Sequence, residues 1–500
     1  MLLYLILAGI SSLFYLWAKY RQSYWARRGV HSPPGNNWFF GHFRRPLLLQ
    51  QSAQDRLAEL HVDNPDKAFL GFYALQKPCL LIRSPELVKQ ILIKDFDVFP
   101  NRHFASGRTG DKLAVRSLFG STDSQWRQLR YRLSPAFSTG KVKKLFNRMM
   151  ESASNARAYI ERKVEDGEQT FEVRRLVTKY TTDVASEMSF GVRTDSFVEP
   201  EPEFYLRSRE FFNDDIINSY HLLNNFFFPR VNDIMGVQLI GRNGSFLRKI
   251  MVDTVNQRRK IESNSGDVVD TLKNLEGTND IGYTFETDDQ LAQSTGLLAA
   301  GLETSALTMS FTLLQISRHP DVQRKLRREL AEKLAGIKPN ELTYERVFEM
   351  EYLQQVVSET LRMFPVAPIV DRTASRDYKI PGTDVVIEKG TAVYVCLNGL
   401  HYDPDYHPEP TVFDPERFNE TRKNDIKSGS YIPFGTGPRI CIGMRVAMLQ
   451  IMVGLITILS EYEISWNTNK FKNAVSKRSV FNAPANDFYL DFKRYPLINV

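Results

Sequence analysis

The ten residues from Phe434 to Gly443, Phe-Gly-Thr-Gly-Pro-Arg-Ile-Cys-Ile-Gly, surround the side chain with the most suggestive chemistry in the chain, Cys441. A cysteine works as a ligand or nucleophile through its thiolate, which needs hydrogen-bond donors or positive charge close by. Glycines at 435 and 437 let the backbone curl until amide groups face the sulfur, and Pro438 fixes the turn. A helix beginning near Gly443 would aim its positive N-terminal end at the same atom. Phe434 can shield the sulfur from water, and Gly443 allows close approach of a flat ligand. A lone cysteine is ordinarily a small buried hydrophobe. The glycine-rich frame argues for a thiolate metal ligand instead.

Other stretches carry weaker signals singly. Ala299-Ala300-Gly301-Leu302-Glu303-Thr304-Ser305 lies in a long apolar segment. Small residues at 300 and 301 let a helix backbone pass close to a bound group; Thr304, four residues after Ala300, shares its face. The Thr304 hydroxyl can also bond a carbonyl one turn back. Taken alone, these residues would merely ease helix packing. Glu359 and Arg362, three apart, can pair on a helix surface. Trp126 and Arg130, four apart, present an indole N–H and a guanidinium together. Cys396, His401 and His407 could be scored as zinc ligands, but they lack a partner pair at zinc spacing. With no H-E-x-x-H, P-loop or G-x-G-x-x-G, the chain has no recognisable nicotinamide site of its own.

In order along the chain, these stretches resemble the cytochrome P450 superfamily. Phe434 to Gly443 matches the signature F-x-x-G-x-R-x-C-x-G at every fixed position, with Gly437 as its first glycine. Glu359 to Arg362 resembles E-x-x-R, Phe413 to Phe418 the P-E-R-F segment, Ala300 to Thr304 the A-G-x-E/D-T element, and Trp126 to Arg130 the W-x-x-x-R pair. The resemblance implies haem b (iron protoporphyrin IX) with Cys441 as axial ligand, a bond that favours O–O cleavage. It gives Thr304 and Glu303 the proton supply, and Ala300 and Gly301 the space beside the iron. Trp126, Arg130, Arg372, Arg439 and, on a weaker match, Arg102 are expected at the haem propionates. Glu359, Arg362 and Arg417 are expected as a buried charge network that supports the cysteine loop. Phe104, Phe119, Phe212, Leu302, Ile369 and Phe481 are expected to touch substrate. The implied reaction puts one atom of dioxygen into a lipophilic molecule with electrons from NADPH, delivered by a membrane-bound flavoprotein reductase, with cytochrome b5 as a second donor. Arg127, Lys141, Lys143, Lys144 and Arg445 are candidates for the reductase contact. Ala300 to Ser305 and Ser134 to Ser138 are similar to insect microsomal members that oxidise plant toxins and insecticides. The alternatives are a hormone or lipid hydroxylase, a reductase-independent isomerase or dehydratase, and a haem sensor.

Positioning these residues requires long helices. From about Ser84 to Leu334, apolar residues recur at three- and four-residue spacing, as in Lys141 to Lys163 and Asp288 to Ser317. Strand signals fall at Ala68 to Arg83 and at Tyr378 to Val395, the latter with turns at Pro381-Gly382 and Lys389-Gly390. The expected fold is mainly α with a small β region, the cytochrome P450 fold, preceded by an N-terminal transmembrane helix. Leu2 to Ala18 is uncharged and apolar, and Lys19, Arg21, Arg27 and Arg28 follow, so a cytoplasmic flank is expected. A cleaved signal peptide fits less well, because no basic residue precedes the run and bulky residues replace an A-x-A site. The division expected is an anchor at 1–20, a basic, Pro-rich linker at 21–36 that separates anchor from body, and a catalytic domain at 37–500. The body would face the cytosol from the endoplasmic reticulum membrane. The aromatic segment Phe204 to Met235 reads equally as core or as a surface dipping into the membrane. Three cysteines in 500 residues argue against a disulfide framework. A net charge of +7, not clustered, points away from nucleic acid.

Overall fold

The computed structural model describes residues 1–104, 111–212, 215–238, 243–262, 267–279, 283–337, 341–466 and 475–497. In chain order its principal elements begin with α1 (Leu2–Gln22), α2 (Ala53–Val62), β1 (Phe69–Ala74) and β2 (Lys77–Ile82). Next come α3 (Asp123–Leu133), α4 (Thr139–Glu165), β3 (Thr170–Glu172), α5 (Val173–Phe190), α6 (Ile216–Phe227) and α7 (Pro229–Ile234). The second half holds α8 (Thr287–Arg318), α9 (Glu351–Met363), β4 (Ile369–Thr373), β5 (Ala392–Cys396), α10 (Met444–Leu459), β6 (Tyr462–Trp466) and β7 (Tyr489–Arg494).

Helix α8 is the spine. Glu286 and Asp289 close a capping box at its start, and His319-Pro320 stops it after 32 residues. At about 1.5 Å per residue it runs for about 48 Å. It is apolar enough to cross a bilayer but is sheathed by the protein, chiefly by α5. Gly301 is one reason the two helices lie so close: a Cβ there would sit 3.4 Å from Met188 Cε and 3.6 Å from Ala185 Cβ.

A four-stranded sheet in the order β1-β2-β5-β4 lies to one side. Strands β2 and β5 are parallel, in register from Cys79 opposite Ala392, and the other pairs are antiparallel. The strand signals at 68–83 and 378–395 become three strands of this sheet and a hairpin of two-residue strands, while β4 lies ahead of the second signal. A second sheet, β3-β7-β6, was not foreseen. Its first strand pairs with one about 300 residues later in the chain, and all three are short, so no local period or turn announces it.

The chain from Tyr24 to Val30, expected as a tether, is packed into the body. Trp25 is fully buried, its indole donating to Phe72 O at 3.3 Å and its backbone N–H to the Tyr73 hydroxyl at 2.9 Å. The ring lies where a Cβ on Gly71 would be, 2.3 Å from its Cγ, so β1 carries a glycine there. Arg28 pairs with Glu388 and stacks on Tyr24. A large aromatic ring leaving water outweighs the chain entropy of a short linker.

The aromatic segment divides. Phe204, Phe226 and Phe227 are core residues, whereas the exposed positions are mainly aliphatic: Ile216, Ile217, Met235 and, at 87% exposure, Ile234. Positions 213–214 of that segment, and 105–110 of the expected substrate stretch from Phe104 to Phe119, lie outside the described residues.

Candidate functional site

The loop before α10 has the conformation its sequence requires. Gly435 and Gly437 have φ of 72° and 74°, and a Cβ on Gly437 would fall 2.0 Å from Leu92 O. The loop closes with Cys441 N donating to Phe434 O at 3.0 Å. Cys441 is accessible to solvent although protein atoms crowd around it. Burial pushes its thiol up; a hydrogen bond from the Gly443 backbone and the guanidinium charges of Arg130 and Arg102 act in the opposite direction. Arg130 is fixed by donating to Ile440 O at 2.9 Å.

On α8 the exposed position in mid-helix is Ala300, with Gly296, Ala299, Gly301 and Thr304 partly accessible. The Thr304 hydroxyl donates to Ala300 O at 2.6 Å, the one-turn-back bond expected of it. Gly301, partly accessible, and Leu302, buried, also contact neighbouring elements. Gly301 serves the α5 contact described above, and Leu302 is buried in an apolar cluster with Phe204 and Leu298. The helical period explains both, since Leu302 is turned about 200° from Ala300. Glu303 is buried and held by Arg174 of α5, whose Nε lies 3.1 Å from Oε1. Arg174 sends no signal in the sequence, because its partner lies 129 residues away.

The sheet end of the site gathers an excess of positive charge. Arg102, Arg372 and Arg439 share a single buried carboxylate, Asp371, with Arg102 at 3.9 Å from it. Burial and mutual repulsion push Arg372 down to about 9 and Arg439 down to about 8. Arg439 is anchored on Pro100 O and Ser121 O at 2.7 and 2.9 Å and stacks on Trp126 at 4.2 Å. Arg102 Nε, Arg372 Nε and Arg439 Nη1 are buried without a hydrogen-bond partner among the described residues. Three guanidiniums with spare donors and one carboxylate fit a ligand carrying two anionic groups, as haem does with its propionates. The accessible sulfur and the spare guanidinium donors together meet that requirement.

Five phenyl rings pack in a row. Phe119, Phe104, Phe226, Phe481 and Phe212 form a chain with successive centroid separations of 4.9, 5.1, 6.4 and 6.2 Å. Phe212 and Phe481 also bound a cavity with Arg174, Glu303 and Leu307. Ile369 is buried in the cluster that Phe104 and Phe481 pack against. The sequence reading missed Phe226, because three consecutive phenylalanines gave no sign of which one faces the others.

Below the cysteine loop, Arg362 forms a two-point bond to Glu359, Nε and Nη2 each 2.8 Å from a carboxylate oxygen. Arg417 Nε lies 3.4 Å from Glu359 Oε1, and Asp414 N donates to the same oxygen at 3.0 Å. His401 links this network to the loop: its Nδ1 donates to Arg362 O at 3.1 Å, and its Nε2 accepts from Ile432 N at 3.2 Å. These bonds overturn the zinc reading. His407 is likewise engaged with Ser430 O and Cys396 with Gln54 O, and no group of three potential ligands gathers among the described residues.

Comparison with known proteins agrees with this geometry. The sequence model of the cytochrome P450 family matches residues 31–491. Cytochrome P450 6k1 of Blattella germanica is 36% identical over 481 residues, covering 92% of this chain and 90% of that protein. Cytochrome P450 6B7 of Helicoverpa armigera is 34% identical over 481 residues, with 94% and 93% covered. A probable cytochrome P450 6g2 of Drosophila melanogaster is 30% identical over 484 residues, with 93% of each covered.

Proposed function

The chain belongs to the cytochrome P450 family of haem-dependent monooxygenases, and on that premise we propose that it oxidises lipophilic, ring-bearing foreign molecules such as plant toxins and insecticides. When bound, haem supplies oxygen activation, one atom entering the substrate and the other leaving as water. The chain's own residues do the rest. Cys441 would hold the haem iron through its thiolate, whose charge the Gly443 amide and the nearby guanidiniums ease. Arg102, Arg372 and Arg439 would hold the propionates, with Trp126 stacked on Arg439 and Arg130 fixing the Ile440 carbonyl next to Cys441. Ala300, accessible in mid-α8, and Thr304 would leave room for dioxygen; the Thr304 hydroxyl would hold a proton-bearing water, and Glu303 would supply protons. The phenyl chain from Phe119 to Phe212 receives the substrate.

The observation that carries this reading is the accessible thiol of Cys441 beside guanidiniums with no partner for their spare donors. Electrons come from NADPH through a flavoprotein reductase that docks on the basic side near Arg127, Lys141, Lys143, Lys144 and Arg445, with cytochrome b5 as a further donor. Helix α1 anchors the protein in the endoplasmic reticulum membrane, residues 21–36 join it to the catalytic domain, and the body lies in the cytosol. The apolar character of α1 and the exposed Ile216, Ile217, Ile234 and Met235 support this placement.

A carbon-monoxide difference spectrum of the reduced protein, followed by turnover of a substrate panel with reconstituted reductase, tests the proposal. A thiolate-type band with reductase-dependent NADPH consumption and oxygenated product is the expected result. Product formed without reductase would identify an isomerase, and a spectrum without the thiolate band would remove Cys441 from its role.

A further inference from the structure

A cation outside every motif named so far, Lys77 at the start of β2, joins two chain segments that meet nowhere near each other in sequence. Its ammonium donates to Phe227 O, the carbonyl ending α6, at 3.0 Å and to Nε2 of buried His103. An ammonium can only donate, so Nε2 supplies a lone pair and Nδ1 carries the hydrogen. That nitrogen approaches Thr373 Oγ1 of β4 at 3.3 Å. Burial, and then the Lys77 charge, push the imidazole down to about 4, which keeps it neutral in this role. A helix C-terminus is also where a positive charge is favoured.

The residues joined are neighbours of the substrate wall. His103 precedes Phe104 and Phe227 follows Phe226, and the rings of Phe104 and Phe226 pack edge to face with centroids 5.1 Å apart. On its other side Phe104 is pinned by its backbone N–H, which donates to Asp371 Oδ2 at 2.5 Å. These two rings stand in the middle of the phenyl chain, so any change in their separation opens or narrows the wall at its centre.

We infer that Lys77, by bridging His103 to the end of α6, is a specificity-determining positioning residue that sets the spacing of Phe104 and Phe226 and so the size of substrate the wall accepts. This rests on the reading of the phenyl chain as the substrate wall of a haem-containing enzyme. Imidazole, a single small ring that binds haem iron, does not need the wall; clotrimazole, an imidazole bearing three aryl rings, does. Spectral titration of the haem-loaded protein with both ligands compares wild type with Lys77→Met, which keeps the length and loses the donor. Clotrimazole affinity is expected to fall about tenfold, the cost of losing a charged hydrogen bond, while imidazole affinity changes less than about twofold. His103→Gln keeps an acceptor for Lys77 and is expected to bind clotrimazole as wild type does. Unchanged clotrimazole affinity in Lys77→Met, or an equal loss for both azoles, overturns the inference. Should Lys77→Met fail to retain haem, His103→Leu, which removes the acceptor alone, gives the same comparison. A wild-type protein whose spectrum responds to neither azole would instead overturn the haem-thiolate reading.

Discussion

Gly437 and Gly435 share a left-handed backbone, but only Gly437 also has a neighbour in the way, Leu92 O, 2.0 Å from where a side-chain methyl would sit. Alanine at 435 therefore carries only the conformational cost, about 1–2 kcal/mol, while alanine at 437 must also displace a backbone carbonyl. Gly435→Ala is expected to bind haem with modestly reduced stability and Gly437→Ala to accumulate as haem-free protein, which absorbance per mole of purified protein will read. Thr304→Ala is expected to sustain NADPH consumption while releasing more hydrogen peroxide per turnover, measured by peroxide assay beside product yield. Cys441, Thr304 and Gly437 were legible because their chemistry is written in neighbouring residues. Leu92, Arg174 and Lys77 were not, because each acts on a partner brought near only by folding.

At the level of elements, Glu359 is the point where α9, the segment at Asp414 and, through Arg362 and His401, the cysteine loop are tied together. Glu359→Ala leaves buried guanidiniums without their carboxylate, a loss of about 3–5 kcal/mol, and is expected to yield misfolded protein without haem. A haem-replete variant with a normal thiolate spectrum would contradict this. The sequence showed α4, α8 and α10 plainly, since each has a sustained apolar period and a readable end. It hid the β3-β7-β6 sheet, whose strands are three to six residues long. In the segment after α1, expected as a basic, Pro-rich linker, Trp25 is seated against β1 by contacts that no local pattern announces. Gly71→Ala places a methyl where that ring lies and is expected to release it, seen as a red-shifted tryptophan emission and new proteolysis between residues 20 and 36.

For the molecule as a whole, acid is the vulnerable direction. Burial holds His42, His103 and His407 down to about 4, against 6.5 for a free imidazole. The unfolded chain binds more protons than the folded one between those values, so the stability these residues contribute is present above about pH 6.5 and is lost as pH falls toward 4. The melting temperature is expected to hold near neutrality and drop steeply below pH 6, and a flat profile down to pH 4 would contradict it. On the proposed anchoring of α1 in a membrane, the seating of Trp25 has a different consequence. A body clamped to the base of its own anchor cannot swing like a buoy on a chain; it travels at one tilt. Its encounters with an electron donor in the same plane are then governed by lateral drift and rotation about the membrane normal, so the searching surface shrinks from a sphere to a ring.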